Sequence, residues 1–231
     1  MARLALMNPL LLNIFWQALS GPQAHFSAGN DRARRFAPGF SPIVAFPDVA
    51  HPDFDALAPF CQPGEHFYCD GWTGPTPTGW QVDLESTMFK MVWEGPMPGR
   101  EEALEALPLG PEHRDLAMDL ATLTHPGPFG PRTLELGEYF GLFEGPRLMA
   151  MAGERAFAGN LREISGVCTH PDFQGRGLAK RLMVKLMHRQ MARGETPFLH
   201  VMHDNDHAHA LYLRMGFQDH HESVVRVVSL R

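Results

Sequence analysis

Three elements follow one another in residues 161–194 and constrain the fold more than any other part of the chain. The segment LREISGVCTHP predicts a strand that ends at a proline. The loop FQGRG then carries Gly175 and Gly177, and glycine allows a backbone to turn sharply and to approach a ligand closely. In the next segment a leucine recurs every fourth residue, which predicts a helix that ends near Gly194. Its predicted buried row is Leu178, Leu182 and Leu186.

The rest of the chain alternates predicted strands with predicted helices, which indicates an α/β fold. A cluster of prolines and glycines at residues 95–99 divides the chain into one region over 1–94 and another over 95–231. The first region contains three candidate strands, SPIVAF, EHFYC and WQVDLESTMFKMVW, but no catalytic spacing. Its role is left open between a decayed half-domain and a lid that shapes an acceptor site.

The second region begins with a predicted helix, PEHRDLAMDLATLTH, whose buried face is predicted to be Leu116, Leu120 and Leu123. Two strands follow and are joined by a turn at Glu144-Gly145-Pro146. Beyond the glycine loop, TPFLHVM and SVVRVVSL predict two further strands.

Composition narrows the class of protein. The 231 residues carry a formal net charge of −6, which disfavours nucleic-acid binding. The chain has three cysteines and no Cys-x-x-Cys pair, so we expect a reducing compartment, the cytoplasm. Near the amino end, Leu11, Phe15 and Leu19 recur every four residues. This spacing favours an amphipathic helix over a secretory signal or a membrane segment.

The glycine loop is a candidate phosphate site. The first N–H groups of a helix have no partners within the helix and carry the positive end of its dipole, so they favour an anion. Arg176, Lys180 and Arg181 add positive charge there. The spacing matches no Walker loop, and Lys180 stands where a dinucleotide fingerprint has its third glycine. A tight turn with solvated basic residues is the alternative.

The stretch HDNDHAHALYLRMGF at residues 203–217 first suggests a metal site. Its Asp-Asn-Asp run is typical of a helix N-cap, so we predict a helix that begins near Asn205 and leaves His203 outside it. Within that helix His207 and His209 are about 200° apart and face nearly opposite sides. We therefore expect no metal ion. The predicted buried face is Ala208, Leu211, Tyr212 and Met215.

Two motifs in this half of the chain resemble the GNAT (Gcn5-related N-acetyltransferase) superfamily. The acyl-CoA loop of that family, Gln/Arg-x-x-Gly-x-Gly/Ala, is filled by Gln174, Gly177 and Ala179. A second family block, Asn-x-x-Ala-x-x-Leu-Tyr-x-x-x-Gly-Phe, is filled at every place by Asn205, Ala208, Leu211, Tyr212, Gly216 and Phe217. The resemblance covers roughly residues 110–231. It implies a mixed, mostly antiparallel twisted sheet flanked by helices, here with an additional N-terminal α+β region.

The resemblance also implies acetyl-CoA, or another acyl-CoA, as co-substrate and no metal. The residues expected to bind it are Val167, Cys168, Thr169, Gln174, Gly175, Arg176, Gly177, Leu178, Ala179, Lys180 and Asn205. Cys168 is interpreted as a buried strand cysteine rather than a nucleophile. The resemblance implies direct transfer instead.

Three catalytic roles are predicted. In the family the tyrosine of the second block lies near the CoA sulfur, which makes Tyr212 the candidate general acid. The backbone N–H of Val167 is the candidate donor to the thioester carbonyl. Glu163 precedes Gln174 by eleven residues, and histone acetyltransferases of the family have a base glutamate at a similar offset, so the resemblance makes Glu163 a candidate general base. A glutamate at the exposed end of the strand, paired with Arg162 or another cation, is the alternative. His170 and His203 are further candidates for the base.

The resemblance implies an N-acyltransferase that moves an acetyl or short acyl group from acyl-CoA to a primary amine of a small molecule or peptide. A catalytically silent acyl-CoA-binding or regulatory module is the alternative. We expect no nucleic-acid or membrane partner, and a homodimer is left open.

Overall fold

The computed structural model describes residues 8–231. Its helices are α1 Pro9–Leu12, α2 Ile14–Ser20, α3 Phe54–Leu57, α4 Arg114–Thr124, α5 Leu178–Ala192 and α6 Asp206–Met215. Its strands are β1 Ser27–Gly29, β2 Arg34–Phe36, β3 Ile43–Ala45, β4 His66–Asp70, β5 Trp80–Trp93, β6 Leu107–Pro108, β7 Tyr139–Glu144, β8 Arg147–Ala158, β9 Leu161–Thr169, β10 Thr196–Met202 and β11 Phe217–Leu230. The first seven residues of the apolar amino-terminal stretch lie outside the described residues.

The strands of residues 8–231 form one mixed sheet in the order β1-β2-β3-β4-β11-β5-β10-β9-β8-β7-β6. β9 pairs with β10 and β3 with β4 in parallel, and the other neighbours are antiparallel. The expectation of a mixed, mostly antiparallel sheet flanked by helices is confirmed. β5 lies between β11 and β10, so strands from both sides of residue 94 share the sheet. The division into two domains stays a prediction.

The parallel pair β9–β10 is joined only at one end. Its last paired residues are Glu163 and Phe198. β9 continues to Thr169 and β10 to Met202, with no further ladder pairing between these two described strands. The sheet therefore opens between β9 and β10 beyond Glu163, because their backbones no longer exchange hydrogen bonds.

The side chains of β10 show which helices cover each face of the sheet, since successive residues of a strand point to opposite faces. Phe198 packs in an apolar cluster with α1 and α2. Leu199 and Val201 pack on the other face with α5 and Tyr212 of α6. The row that was predicted for α5 is buried there. We call these two sides the α2 face and the α5 face.

The helix over residues 114–124 forms as predicted, but its buried face differs from the expectation. Ala117, Leu120 and Ala121 are buried on α4, whereas Leu116 is 39% and Leu123 51% exposed. The leucines were predicted because they are large apolar residues that recur at helical spacing. The small alanines are buried instead because α4 packs closely on β8 and β9, on the α2 face.

A buried ion pair attaches the amino-terminal helices to the sheet. Lys90 of β5 is 0% exposed, and its Nζ lies 2.6 Å from Oδ2 of Asp70 on β4. The same ammonium donates to the backbone carbonyls of Leu11 (2.9 Å) and Leu12 (3.3 Å) in α1. A buried charge needs such partners, so the position of α1 is tied to the middle of the sheet.

No helix within residues 8–231 is long and apolar enough to cross a membrane.

Candidate active site

The opening between β9 and β10 leads into a cavity of about 260 Å³. On the α5 face, Asn205, Ala208 and Tyr212 line it. Residues 164–167 of β9 and 200–202 of β10 form its sides. The α2-face wall includes Phe15, Ile43, Tyr68, Asp70, Leu84 and Met88. The cavity therefore connects the two faces of the sheet, and the region before residue 94 supplies much of one wall.

The glycine loop follows β9 and lies on the surface. Gly175 and Gly177 have φ values of +76° and +71°, and a Cβ at either position would meet no atom within 4 Å. The first backbone hydrogen bond of α5 runs from the N–H of Arg181 to the carbonyl of Gly177 (3.1 Å). The N–H groups of residues 178–180 precede that bond, so they can donate to an anion.

The side chains of the loop leave room for a large anionic ligand. Gln174, Arg176 and Lys180 are exposed, Ala179 is half-buried, and Leu178 is buried in the core. Arg176 lies over the ring of Phe173, with its guanidinium carbon 4.9 Å from the ring centroid. The exposed glycines and cations fit the pyrophosphate of a CoA molecule.

A bulge in β9 shapes the edge of the cavity. Met151 of β8 pairs with Cys168, but Gly153 pairs with Ser165, so β9 has one extra residue between these points. Gly166 takes a φ of +63° there, in the left-handed region that favours glycine. A bulge leaves one backbone position outside the regular ladder. Val167 follows Gly166 directly and lines the cavity.

The structure separates the predicted strand residues. Val167 lines the cavity, whereas the Cys168 side chain is buried in the cluster beneath α4. Burial raises the pKa of the Cys168 thiol to about 11, against an opposing hydrogen bond from Thr124. A thiol that stays protonated is a poor nucleophile. Thr169 ends β9 and is half-buried.

Tyr212 and Asn205 both line the α5 side of the cavity. Asn205 caps α6, because its Oδ1 accepts the N–H of Ala208 at 3.1 Å. Its side-chain NH₂ is the group that can donate to a ligand. Tyr212 is 8% exposed, and burial, with a contribution from Cys168, raises its pKa to about 12. The phenol therefore keeps its proton at neutral pH.

Glu163 lies in a buried ion pair instead of at the cavity surface. Arg155 donates to both of its carboxylate oxygens, with Nε 3.0 Å from Oε2, and the N–H of Ala156 donates to Oε2 at 3.1 Å. His200 Nδ1 lies 2.7 Å from Oε1. Burial acts to raise the pKa of Glu163, but the charges and hydrogen bonds of Arg155 and His200 outweigh it and lower that pKa to about 2. The predicted pairing with a cation thus involves Arg155 rather than Arg162, which binds Glu195.

His200 is a cavity residue that the sequence did not single out. Its side chain is 6% exposed, and it lines the cavity between Phe15 and the open ends of the two strands. The only sequence signal is its position in the apolar strand TPFLHVM, two residues after Phe198. The other histidine candidates lie elsewhere, since His170 caps the turn before the loop and His203 pairs with Glu222.

A histidine of the histidine-rich stretch at residues 203–217 takes part in a side-chain hydrogen bond and a ring stack instead of a cluster of metal ligands. His209 Nε2 lies 2.8 Å from Oδ1 of Asp219, and its ring stacks on Phe89 with a centroid distance of 4.4 Å. Across residues 8–231, no group of three or more His, Cys, Asp or Glu side chains is arranged to hold a metal ion.

Comparison with known proteins identifies the family. Residues 139–227 match the sequence model of a protein family that is described as FR47-like protein. A GNAT-family protein from Novosphingobium aromaticivorans, assigned as an acetyltransferase, is 31% identical with a TM-score of 0.86, over 96% of this chain and 98% of that one. A GCN5-related N-acetyltransferase from Kribbella flavida is 14% identical and similar in fold, with a TM-score of 0.58 over 95% and 94% of the two chains.

A shorter match is to N-alpha-acetyltransferase RimI of Mycobacterium tuberculosis, which is 43% identical over 56 residues. That match spans 24% of this chain and 34% of the relative, about a third of its length. Taken with the full-length similarity, these findings show that the chain belongs to the GNAT family of acetyltransferases. Members of this family use acetyl-CoA as co-substrate.

The ion pair of Glu163 makes a prediction about stability. Glu163→Gln should lower the free energy of unfolding by about 3–5 kcal/mol at neutral pH, because it leaves the buried Arg155 without its counterion. The lowered pKa of Glu163 means that its stabilisation is complete above about pH 4.5 and is lost as the pH falls towards about 2. Urea denaturation from neutral pH down to about pH 3 should therefore show the variant and the wild type converging.

Glu112→Gln is the matched control, because that side chain is 71% exposed. Its free energy of unfolding should stay within about 0.5 kcal/mol of the wild type. Equal stability of Glu163→Gln and the wild type at neutral pH would contradict a folded-state role for the ion pair.

Proposed function

We propose that this protein is an N-acetyltransferase that transfers an acetyl group from acetyl-CoA directly to a primary amine of a small molecule or peptide. The observation that carries the proposal is the cavity between β9 and β10. Tyr212 and Asn205 line it on the α5 face, and apolar side chains with one carboxylate line it on the α2 face. Two substrates that enter from opposite faces could meet in that opening.

The residues around the loop fit the binding of CoA. In the proposed complex the N–H groups of residues 178–180, with Arg176 and Lys180, hold the pyrophosphate. The NH₂ of Asn205 and the backbone along residues 167–169 hold the pantetheine arm. When bound, acetyl-CoA supplies an acetyl thioester whose sulfur is the leaving group.

Tyr212 and Val167 are proposed to act on the reacting atoms. Tyr212 keeps its proton because burial raises its pKa to about 12, so it can donate that proton to the departing sulfur. Val167, next to the bulge at Gly166, is proposed to donate its backbone N–H to the carbonyl oxygen that gains negative charge.

The acceptor side is proposed to be formed by the region before residue 94. Phe15, Ile43, Leu84 and Met88 give the wall apolar surface, and Asp70 gives it a carboxylate that also binds Lys90. An amine with an apolar body suits such a wall. The similarity to a short part of an N-alpha-acetyltransferase supports the α-amine of a peptide as one acceptor to examine.

The glycine loop can be tested by comparing two glycines that flank α5. Gly177 and Gly194 have φ values of +71° and +78°, and neither would place a Cβ within 4 Å of another atom. Each alanine substitution should strain the backbone by about 1–2 kcal/mol. Gly177→Ala should also weaken CoA binding about tenfold or more, whereas Gly194→Ala should leave the affinity unchanged. Calorimetric titration with CoA measures both, and equal affinities would argue against the loop as the CoA site.

The role of the phenol can be tested with a matched pair of tyrosines. Tyr212→Phe should lower kcat by about 10²–10⁴-fold, with little change in the KM for acetyl-CoA, because it removes the proton donor. Tyr139→Phe removes another buried hydroxyl, which does not line the cavity, and should leave kcat unchanged. Steady-state release of CoA measures both variants, and an unchanged kcat in Tyr212→Phe would remove the general-acid role.

The activity itself is tested by screening amines and peptides for release of CoA from acetyl-CoA. We expect amine-dependent release for at least one apolar primary amine or peptide α-amine. CoA binding without release for any acceptor would favour the catalytically silent module instead.

A further inference from the structure

The cavity contains a histidine whose surroundings resemble those of an oriented base. His200 lines the cavity, its side chain is 6% exposed, and its Nδ1 lies 2.7 Å from Oε1 of Glu163. Its other ring nitrogen, Nε2, is buried and has no hydrogen-bond partner among residues 8–231. A buried polar atom without a partner calls for an explanation, and a site for a reacting group is one.

The partner of Nδ1 decides which nitrogen of His200 carries the proton. Arg155 and the N–H of Ala156 already donate to the carboxylate of Glu163, which holds it in the ionised form. An ionised carboxylate only accepts hydrogen bonds, so Nδ1 of neutral His200 must be the protonated nitrogen. The lone pair of the ring then lies on Nε2, where it can accept a proton.

The ring is also fixed in orientation. Phe15 of α2 stacks on it with a centroid distance of 5.1 Å and an interplanar angle of 17°, and Phe198 meets it edge-on at 5.7 Å. Since His200 and Phe198 are two residues apart on β10, both point to the α2 face, where the proposed acceptor wall lies.

The charges around His200 are mutually paired. Glu163 and Arg155 form one ion pair, and Lys90, which is opposite His200 in the β5–β10 ladder, forms another with Asp70. The other titratable side chains that line the cavity are Tyr68, His125 and Tyr212. His221 faces Lys90 in β11. The residues of α2 include no titratable side chain. The base would therefore act among neighbouring groups whose net charge is near zero.

We propose that Nε2 of His200 is the general base that accepts the proton of the acceptor amine, and that Glu163 is a positioning residue that holds its tautomer. This inference rests on the proposed acetyltransferase function. Glu163 itself is poorly placed as the base, because its oxygens are occupied by four donor contacts and it does not line the cavity.

His200 and Tyr212 together account for every proton that moves during the transfer of the acetyl group. The neutral amine attacks the thioester carbonyl, its nitrogen–carbon bond forms, and the carbon–sulfur bond breaks. The nitrogen gives one proton to Nε2 of His200, and the leaving sulfur takes one from Tyr212. His200 later loses its proton and Tyr212 regains one through solvent, so the products are the amide and free CoA.

The variant that tests the inference most directly is His200→Asn, because the asparagine NH₂ can still donate to Glu163 while the base is lost. We expect kcat/KM for the amine to fall about 10²–10⁴-fold and the acidic limb of its pH profile to disappear. CoA affinity should stay unchanged. His200→Ala should lose the same activity and regain part of it when imidazole is added, which a purely structural role would not produce.

His66→Asn is the matched control. His66 also pairs through Nδ1 with a carboxylate, Asp83 at 2.9 Å, but it lies on the surface of β4 outside the cavity. This variant should keep the wild-type pH profile. Nitrogen-15 NMR of the wild type should in addition show neutral His200 with its proton on Nδ1, and Glu163→Gln should disturb that tautomer.

The outcomes separate the two proposals. If the wild type releases CoA in response to an amine and His200→Asn keeps both its rate and its pH profile, His200 is not the base although the protein is an acetyltransferase. A proton on Nε2 in the wild type would likewise overturn the inference. If no amine promotes release by the wild type, the proposed function and this inference both fail.

Discussion

The carboxylate of Glu163 occupies the point where the sheet divides, and much of the site depends on it. Glu163 and Phe198 are the last paired residues of β9 and β10, and beyond them the strands separate. Four donor contacts converge on that carboxylate: two from Arg155, one from the N–H of Ala156 and one from His200. A buried charge is stable only when it is this well satisfied, so the end of strand pairing coincides with a rigid polar centre.

The opening beyond Glu163 explains why one cavity has two chemically different sides. The α5 face brings Tyr212 and the cap residue Asn205, which belong to motifs that are local in sequence. The α2 face brings Phe15 of α2, Ile43 of β3 and Asp70 of β4, which come from three separate segments. The residues on the α5 face lie close together because they are near each other in the sequence. Those on the α2 face lie close together only because separate elements pack against each other.

This difference determines how much could be predicted from the sequence. The glycine loop, the start of α6 and the buried row of α5 depend on short-range spacing, and the structure shows them as expected. The predicted buried face of α4 was right at Leu120 and wrong at Leu116 and Leu123, because periodicity cannot tell a small residue in a close contact from a large one on the surface. The contact between His200 and Glu163 could not be predicted, since the two residues lie 37 positions apart and meet only through the parallel pairing of β9 and β10. The place of β5 between β11 and β10 likewise depends on long-range pairing.

The contact between Lys90 and α1 has a consequence for how such a protein can diversify. Lys90 holds the carbonyls of Leu11 and Leu12 and is the ladder partner of His200, so one strand register sets both the α2-face wall of the cavity and the histidine beside it. A shift of β5 by one residue would turn Lys90 and Met88 to the other face, while the glycine loop, which follows a different strand, would stay in place. Cavity residues such as Leu84 and Met88 can therefore change within a constant register, with the glycine loop left as it is.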